Sequence, residues 1–309
     1  MLTPARQILL GGGNADDGPQ NSLGIIALLV SVTAFSLMDA VAKLLVETYP
    51  PLLVAWARLF GNFVILLIIL RGRTFRLLRS RNPLLQIGRA VAQVSSLILF
   101  FYGLRWIGLA EATAIGATGP AILTMLAALI LRERLGPRRI LGVAVALAGA
   151  MIIIRPGAGV FQPAALLPLA AAATYAFGAI FTRMARADSI WTSLLWSVGI
   201  TSVLFSFALP LFWVPIAPRH ILLFMALGVL GTIGQGLLIR AFSLAEASAI
   251  APFEYSVLLW AGLWGWLIFS TLPDGWTVTG AVLIVMAGLY IWWRESQGAA
   301  RPRNRTDHD

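Results

Sequence analysis

Long apolar runs separated by short polar connectors make up almost the whole chain. Ten of these runs are close to the ~20 residues needed to cross ~30 Å of hydrocarbon. Breaks that contain proline or glycine, such as Pro50-Pro51 and Asn82-Pro83, separate the runs, and no connector is long enough for a soluble domain. The pattern predicts an all-α polytopic membrane protein with ten transmembrane helices. We place them near residues 23–46, 52–70, 84–104, 109–131, 139–155, 164–183, 190–214, 220–240, 246–270 and 276–293.

The composition agrees with this class, because 59% of the 309 residues are apolar and 12% are charged, about half the charged fraction of soluble domains. The chain has no cysteine and only two histidines, His220 beside a predicted span end and His308 in the polar tail. Thiol and histidine chemistry are therefore not expected, and neither is a metal or an organic cofactor. The alternative, an intramembrane lipid-modifying enzyme, would need a nucleophile–base pair or a metal set, and the apolar runs contain neither.

The net charge of +10 comes mostly from arginines between the apolar runs, so it indicates topology rather than nucleic-acid binding. With both termini on the cytoplasmic side, seventeen Lys/Arg lie inside and four outside: Lys43, Arg105, Arg155 and Arg219. The positive-inside rule therefore predicts cytoplasmic termini for a multi-pass protein of the plasma membrane. The polar segments 1–22 and 295–309 are predicted to be disordered.

Two halves of the chain resemble each other. Residues 109–115 read Leu-Ala-Glu-Ala-Thr-Ala-Ile and residues 244–250 read Leu-Ala-Glu-Ala-Ser-Ala-Ile, and Arg105 and Arg240 match at the same offset. We therefore predict two five-helix repeats, 23–155 and 164–294. Because five is odd, the two repeats must be inverted relative to each other in the membrane, which is the architecture of alternating-access carriers.

These features are similar to the drug/metabolite transporter superfamily, EamA type. The resemblance covers residues 23–294 and rests on the ten spans, the Leu-Ala-Glu-Ala openings, Glu133 with Gly142 and Gly149 behind it, and the Pro252-Phe-Glu-Tyr255 segment. It implies a secondary transporter in the bacterial inner membrane that moves amino acids or related metabolites, often by export, through a central cavity. One departure is that Ser270 to Gly275 stands where a second-half counterpart of Glu133 would be.

Charged residues inside spans suggest function, because each costs at least ~2.5 kcal/mol at the helix centre. Asp39 and Lys43 share one face of the first helix, and Arg58 lies at a similar depth on the second. Asp39 either neutralises Lys43 or Arg58 within the packed bundle, or these residues form a gating or coupling site. Arg89 is a further gating or coupling candidate, although it lies near the inner edge and could snorkel.

Glu254 lies near mid-membrane in the ninth helix, beside Pro252, and its counterpart in the first half is Gly119 next to Pro120. Corresponding Gly/Pro interruptions of two helices point to a binding site. The Glu254 carboxylate would bind an amino group or exchange a proton there. The alternative is a structural hydrogen bond to a neighbouring helix.

Further substrate-binding candidates are polar and aromatic residues inside the spans. They are Gln93, Ser96, Tyr175, Gln235, Tyr255 and Trp260. The expected partners are a small-molecule substrate and the lipid bilayer. The chain has no nucleotide-binding P-loop, so direct ATP drive is not expected, whereas proton coupling, facilitated diffusion, monomer and dimer all remain open.

Overall fold

The computed structural model of the protein describes residues 17–70, 74–77, 79–132, 136–155, 162–185, 188–245 and 247–299. Within these ranges the regular structure is helical and forms ten membrane-crossing spans. Eight of them are long and apolar enough to cross a bilayer, and the fifth has a shorter apolar part. Spans 4 and 9 each consist of two helical pieces. We number the spans 1 to 10 in chain order: Asp17–Thr48, Pro51–Leu70, Pro83–Trp106, Leu109–Leu131, Pro137–Ile154, Leu166–Met184, 190–208, Ile221–Leu244, 247–269 and Gly275–Ala299.

The ends of the spans follow from local chemistry. Spans 2, 3 and 5 begin at Pro51, Pro83 and Pro137, because proline suits the first turn of a helix, where its missing N–H is not needed. Span 5 ends at Arg155 in the left-handed region, with φ 50°. A left-handed residue at this position turns the chain away from the helix axis.

Helices occupy the ten predicted span positions, with differences at both chain ends and in span 7, whose helix ends at Ala208 rather than near residue 214. Span 1 begins at Asp17 and span 10 extends to Ala299, so parts of the segments predicted to be disordered are helical. Hydrophobicity marks where the hydrocarbon ends, but a helix continues into polar sequence as long as its backbone hydrogen bonds are made. Several residues used in the sequence argument lie outside the described ranges: Arg6, Arg71, Arg73, Glu133, Arg134, Arg186, Glu246, Arg301, Arg303, Arg305 and His308.

Spans 4 and 9 are broken in the same way. Span 4 consists of Leu109–Gly116 and Gly119–Leu131, and span 9 of Ala247–Glu254 and Val257–Phe269, so each has an 8-residue piece followed by a 13-residue piece. Both spans also end at a left-handed residue, Arg132 or Ser270. The correspondence agrees with two related halves, and the predicted Gly/Pro interruptions are real breaks in the helices.

Small residues allow the spans to approach closely. Gly61 of span 2 and Gly228 of span 8 face each other so closely that a Cβ on either would lie 2.8 Å from the other's Cα. Gly149 of span 5 has the same relationship with Gly280 of span 10, whose carbonyl oxygen would lie 2.8 Å from a Cβ. Close backbone packing of this kind is how helices associate in lipid.

The buried core is distributed unequally between the two ends of the bundle. At the end where span 1 meets span 2, which we call the Tyr49 end, one continuous cluster joins side chains of most spans, including Leu45, Leu104 and Ile154. Toward the opposite end, which we call the Asp188 end, the buried side chains form four separate smaller clusters. The described bundle therefore has a continuous, closed core at the Tyr49 end and a core divided into smaller clusters toward the Asp188 end, two of which share the half-buried Met125 and Leu147.

Candidate functional site

Tyr175 and Glu254 mark an internal space at mid-depth. Tyr175 of span 6 is 57% exposed, yet its ring lies 3.7 Å from where a Cβ on Gly119 would be, and it is within electrostatic range of Arg89 and Glu254. Residues of spans 3, 4 and 9 thus surround Tyr175. We therefore infer that its exposed surface faces a space inside the bundle rather than lipid, between the clusters of the divided half.

Glu254 is the last residue of the first piece of span 9, and its side chain is exposed. At the break, the N–H groups of Tyr255 and Ser256 donate to carbonyls three residues earlier, at Pro252 and Phe253, rather than four. This tighter turn interrupts the regular helix, as expected beside a proline. Among the described residues the Glu254 carboxylate makes no hydrogen bond and no ion pair, so the structural hydrogen bond considered as an alternative is not formed in this conformation.

Gln93 and Ser96 face span 6 rather than the open space. The Cγ of Gln93 lies 3.2 Å from where a Cβ on Gly178 would be, and Ser96 Oγ donates to the Ala171 carbonyl at 2.8 Å. Ser96 therefore joins two helices, and Gln93 lies half-buried at the edge of the same contact.

The other candidates differ in their surroundings. Gln235 is half-buried on span 8. Tyr255 extends to span 10, where its hydroxyl occupies the place that a Cβ on Gly288 would take, so it fills a packing gap. Trp260 stacks on Trp264, with ring centroids 5.9 Å apart. Of the two prolines, Pro120 is exposed and Pro252 is half-buried at the break of span 9.

Asp39 and Arg58 interact electrostatically across spans 1 and 2. Within the described part of the chain, however, no ion pair within 4.0 Å joins them and neither side chain makes a hydrogen bond. The guanidinium of Arg58 lies over the ring of Phe101, 5.8 Å from its centroid. Both charged side chains are partly accessible, at the boundary between the continuous core and the divided half.

Lys43 is not paired with Asp39. Its ammonium is buried and donates to the carbonyls of Leu104 and Ile107 at 2.9 and 3.0 Å, with the Glu47 carboxylate 3.8 Å away. These carbonyls belong to the end of span 3, where helix geometry leaves them without partners and favours a cation. Lys43 therefore ties span 1 to span 3 at the closed end.

Arg89 does not snorkel to the membrane edge. It is 8% exposed and donates to the Thr182 hydroxyl at 2.7 Å, the Ser193 carbonyl at 2.5 Å and the Ser197 hydroxyl at 2.9 Å. These three bonds join span 3 to spans 6 and 7, beside a π-helical turn at Trp196–Ile200. Single π-helical turns inside α-helices are rare and are frequent at functional sites.

A second polar cluster at this end was not found from the sequence. The Asp188 carboxylate accepts from Ser80 Oγ at 2.5 Å, the Arg81 N–H at 2.8 Å and Gln86 Nε2 at 2.9 Å. Burial alone would raise the pKa of Asp188, but these hydrogen bonds outweigh it and hold the pKa below its ordinary value. Gln86 lies one turn before Arg89 on span 3, so grouping it with the polar candidates Arg89 and Gln93 of the same span would have pointed to this cluster.

At the Tyr49 end, two further contacts hold the connectors together. The Tyr49 hydroxyl meets His220 Nδ1 at 2.9 Å and accepts from the Ala217 N–H at 3.0 Å. Arg155, at the end of span 5, forms an ion pair with Asp274 at the start of span 10. Burial would raise the pKa of Asp274, but hydrogen bonds from Thr277 and Arg155 lower it below its usual value. This ion pair joins the first half of the chain to the second.

Comparisons with known proteins agree with this architecture. Residues 22–155 match the EamA-like transporter family. The pseudopaline exporter of Pseudomonas aeruginosa is 30% identical over 274 residues, which cover 85% of this chain and 93% of the exporter. The S-adenosylmethionine uptake transporter of Rickettsia bellii is 28% identical, covering 91% of this chain and 97% of the relative. A riboflavin transporter of Vibrio cholerae is also 28% identical, over 91% of this chain and 96% of the relative.

A solved structure has the same fold. The crystal structure of a protein with 18% sequence identity superposes with a TM-score of 0.62, covering 89% of this chain and 98% of the other.

Proposed function

Because the chain belongs to the EamA-like transporter family and is a secondary transporter of small solutes, we propose that it exports an organic solute by alternating access around the space that Tyr175 and Glu254 face. The observation that carries the proposal is the unequal core: one continuous cluster closes the Tyr49 end, whereas the opposite half is divided. A carrier open to one side only has this form. Closing the divided half while opening the other end would release the solute on the opposite side.

The arginine distribution supports a cytoplasmic position for the Asp188 end. The described conformation is then inward-open and ready to load solute from the cytoplasm. Export agrees with the pseudopaline exporter among the relatives, while the S-adenosylmethionine relatives are uptake transporters. Amino acids and related metabolites are the proposed cargo.

Glu254 is the proposed first contact for an amino group of the solute as it enters from the divided half. Its carboxylate is exposed to the internal space, has no partner among the described residues, and lies at the break of span 9, where discontinuous helices of membrane carriers form substrate sites. The same carboxylate could carry a proton in the return step, which would couple export to the proton gradient. Tyr175 borders the same space and offers a hydroxyl beside it.

The test is transport by purified protein in proteoliposomes preloaded with a panel of labelled amino acids and related metabolites. We expect Glu254→Gln to reduce transport of the best panel member at least tenfold, because a charge-assisted contact at the site is lost. Glu47→Gln is the matched control, since Glu47 is exposed at the Tyr49 end. Equal transport by the two variants would remove Glu254 from the mechanism.

Alternating access can be tested separately, because the chain has no cysteine and a single introduced thiol can be labelled without background. Phe253, beside Glu254, is 38% exposed. The variant Phe253→Cys is expected to react with a membrane-impermeant reagent from the cytoplasmic side and to be protected by transported solute. Reaction from the outer side alone would contradict the proposed orientation.

A further inference from the structure

We propose that Asp39 and Arg58 form a recognition subsite for an amphoteric solute, with Arg58 binding its carboxylate and Asp39 its ammonium group. The inference rests on the proposed transport function and narrows its substrate class. It assigns a ligand role to two charges for which the sequence alone suggests a gate, a coupling site or an internal ion pair.

The position of the two residues suits a subsite at the innermost part of the open half, next to the closed core. Asp39 lies nine residues before the end of span 1 at Thr48, and Arg58 seven residues after the start of span 2 at Pro51. At 1.5 Å per residue both are roughly 10–14 Å below the Tyr49 end. The continuous core closes the bundle above them, whereas both side chains keep partial access.

The separation of the two charges is the main observation. Inside a membrane, opposite charges are expected to form a direct, hydrogen-bonded pair, because desolvation is costly for each alone. Asp39 and Arg58 are close enough to interact, but they are not within 4.0 Å, and among the described residues neither has a hydrogen-bond partner. A gap therefore separates a carboxylate from a guanidinium.

Other cations of the described spans show what a structural role looks like. Lys43 donates to two backbone carbonyls, Arg89 makes three hydrogen bonds, and Arg155 pairs with Asp274. Arg58 differs because its recorded neighbours are the ring of Phe101 and the more distant Asp39. Its N–H donors are thus not used by protein groups in the described part of the chain.

The chemistry of the pair selects a ligand with both charges. A guanidinium presents parallel N–H donors that match a carboxylate in a bidentate contact, and packing over the Phe101 ring holds its plane. A carboxylate such as Asp39 accepts from an ammonium group. A solute carrying both groups would neutralise both residues at once, whereas a purely cationic or anionic solute would leave one membrane charge without a partner.

Aromatic side chains elsewhere in the bundle guide the choice of probes. Trp260 and Trp264 stack on span 9, and Tyr175 is exposed to the internal space. Aromatic surfaces favour flat, apolar ligand groups. We therefore choose L-tryptophan, with tryptamine and indole-3-propionate as matched probes that lack the carboxylate and the ammonium group, respectively.

The experiment measures binding of these three probes to the purified full chain in detergent by thermal shift and calorimetry. We expect wild type to bind tryptophan at least tenfold more tightly than either single-charge probe. Arg58→Gln should reduce tryptophan affinity about 10- to 100-fold, to the level of tryptamine, as expected for loss of a charged hydrogen bond. Asp39→Asn should reduce it to the level of indole-3-propionate. Arg58→Lys, which keeps the charge but not the fork, should be intermediate.

Arg105→Gln is the control, because Arg105 is exposed and lies over Trp106 at the closed end. Equal binding of all three probes, no binding of any of them, or equal losses in the control would overturn the inference. The double variant Asp39→Asn/Arg58→Gln gives a further test. If it regains tryptophan affinity, or regains stability lost in both single variants, Asp39 and Arg58 form an internal ion pair and the inference is overturned. Charge-selective binding without transport would refute the proposed function but support the subsite. Transport without charge-selective binding would support the proposed function but refute the subsite.

Discussion

Replacing Arg89 by methionine tests whether the guanidinium holds spans 3, 6 and 7 together. The substitution keeps a long, unbranched side chain and removes the three hydrogen bonds to Thr182, Ser193 and Ser197. Because Thr182 also donates to the Gly178 carbonyl at 2.8 Å, it keeps a partner. The Ser193 carbonyl and the Ser197 hydroxyl lose their bond to Arg89.

The expected cost follows from these bonds. A hydrogen bond to a charged group contributes about 1.5–3 kcal/mol in soluble proteins, whereas side-chain bonds between membrane helices average about 0.6 kcal/mol. Three bonds therefore contribute between about 2 and 9 kcal/mol. Removing a buried cation also removes its desolvation cost, which offsets part of the loss. We expect Arg89→Met to lower the free energy of unfolding by about 2–4 kcal/mol.

The measurement is reversible unfolding of the full chain in mixed micelles, followed by tryptophan fluorescence. Arg105→Met serves as the control, because Arg105 is exposed and its recorded contact is a ring. Arg89→Lys should recover only part of the loss, since one ammonium group cannot reach all three acceptors. If Arg89→Met unfolds within about 0.5 kcal/mol of wild type, the guanidinium does not hold the three spans together.

Two further predictions concern other contacts. The pKa of Asp188 is depressed in the folded protein, so its hydrogen bonds stabilise the fold at pH values above the ordinary pKa of an aspartate. This stabilisation is lost as the pH falls toward the folded pKa. The melting temperature of wild type should therefore drop between pH 7 and pH 3, and that of Asp188→Asn should lack this drop. Gly288→Ala places a methyl where the Tyr255 hydroxyl lies and should destabilise the chain by about 1–3 kcal/mol. The double variant Gly288→Ala/Tyr255→Phe should recover part of this in the same unfolding assay, and additive effects would show that the two side chains do not meet.

The sequence predicted the architecture well because lipid imposes one simple requirement. Each span needs a long apolar stretch with its backbone bonds made internally, so hydropathy alone locates it. The breaks just before Gly119 and just after the Pro252 turn were also visible, since glycine and proline interrupt helices. The helical ends at Asp17 and Ala299 were missed, because the polarity of a segment does not decide whether it is helical.

The partners of polar residues could not be predicted in the same way. Helical periodicity places Asp39 and Lys43 on one face of span 1, but it does not say which other spans face them. Lys43 meets the carbonyl end of span 3, and Arg89 meets hydroxyls of spans 6 and 7. Backbone acceptors, and residues brought together from more than 60 positions away, carry no pattern that one span displays.

The equal division of spans 4 and 9 has a consequence for the size of the cargo. The short piece of span 4 starts at the Tyr49 end and that of span 9 at the Asp188 end, so each joint lies roughly 13 Å from its own face. In a bundle roughly 34 Å tall, the two joints are then separated by roughly 8 Å along the membrane normal. A solute the length of a single amino acid can contact only one joint at a time, whereas an elongated conjugate can contact both. The length of the solute would therefore influence which molecules the carrier selects.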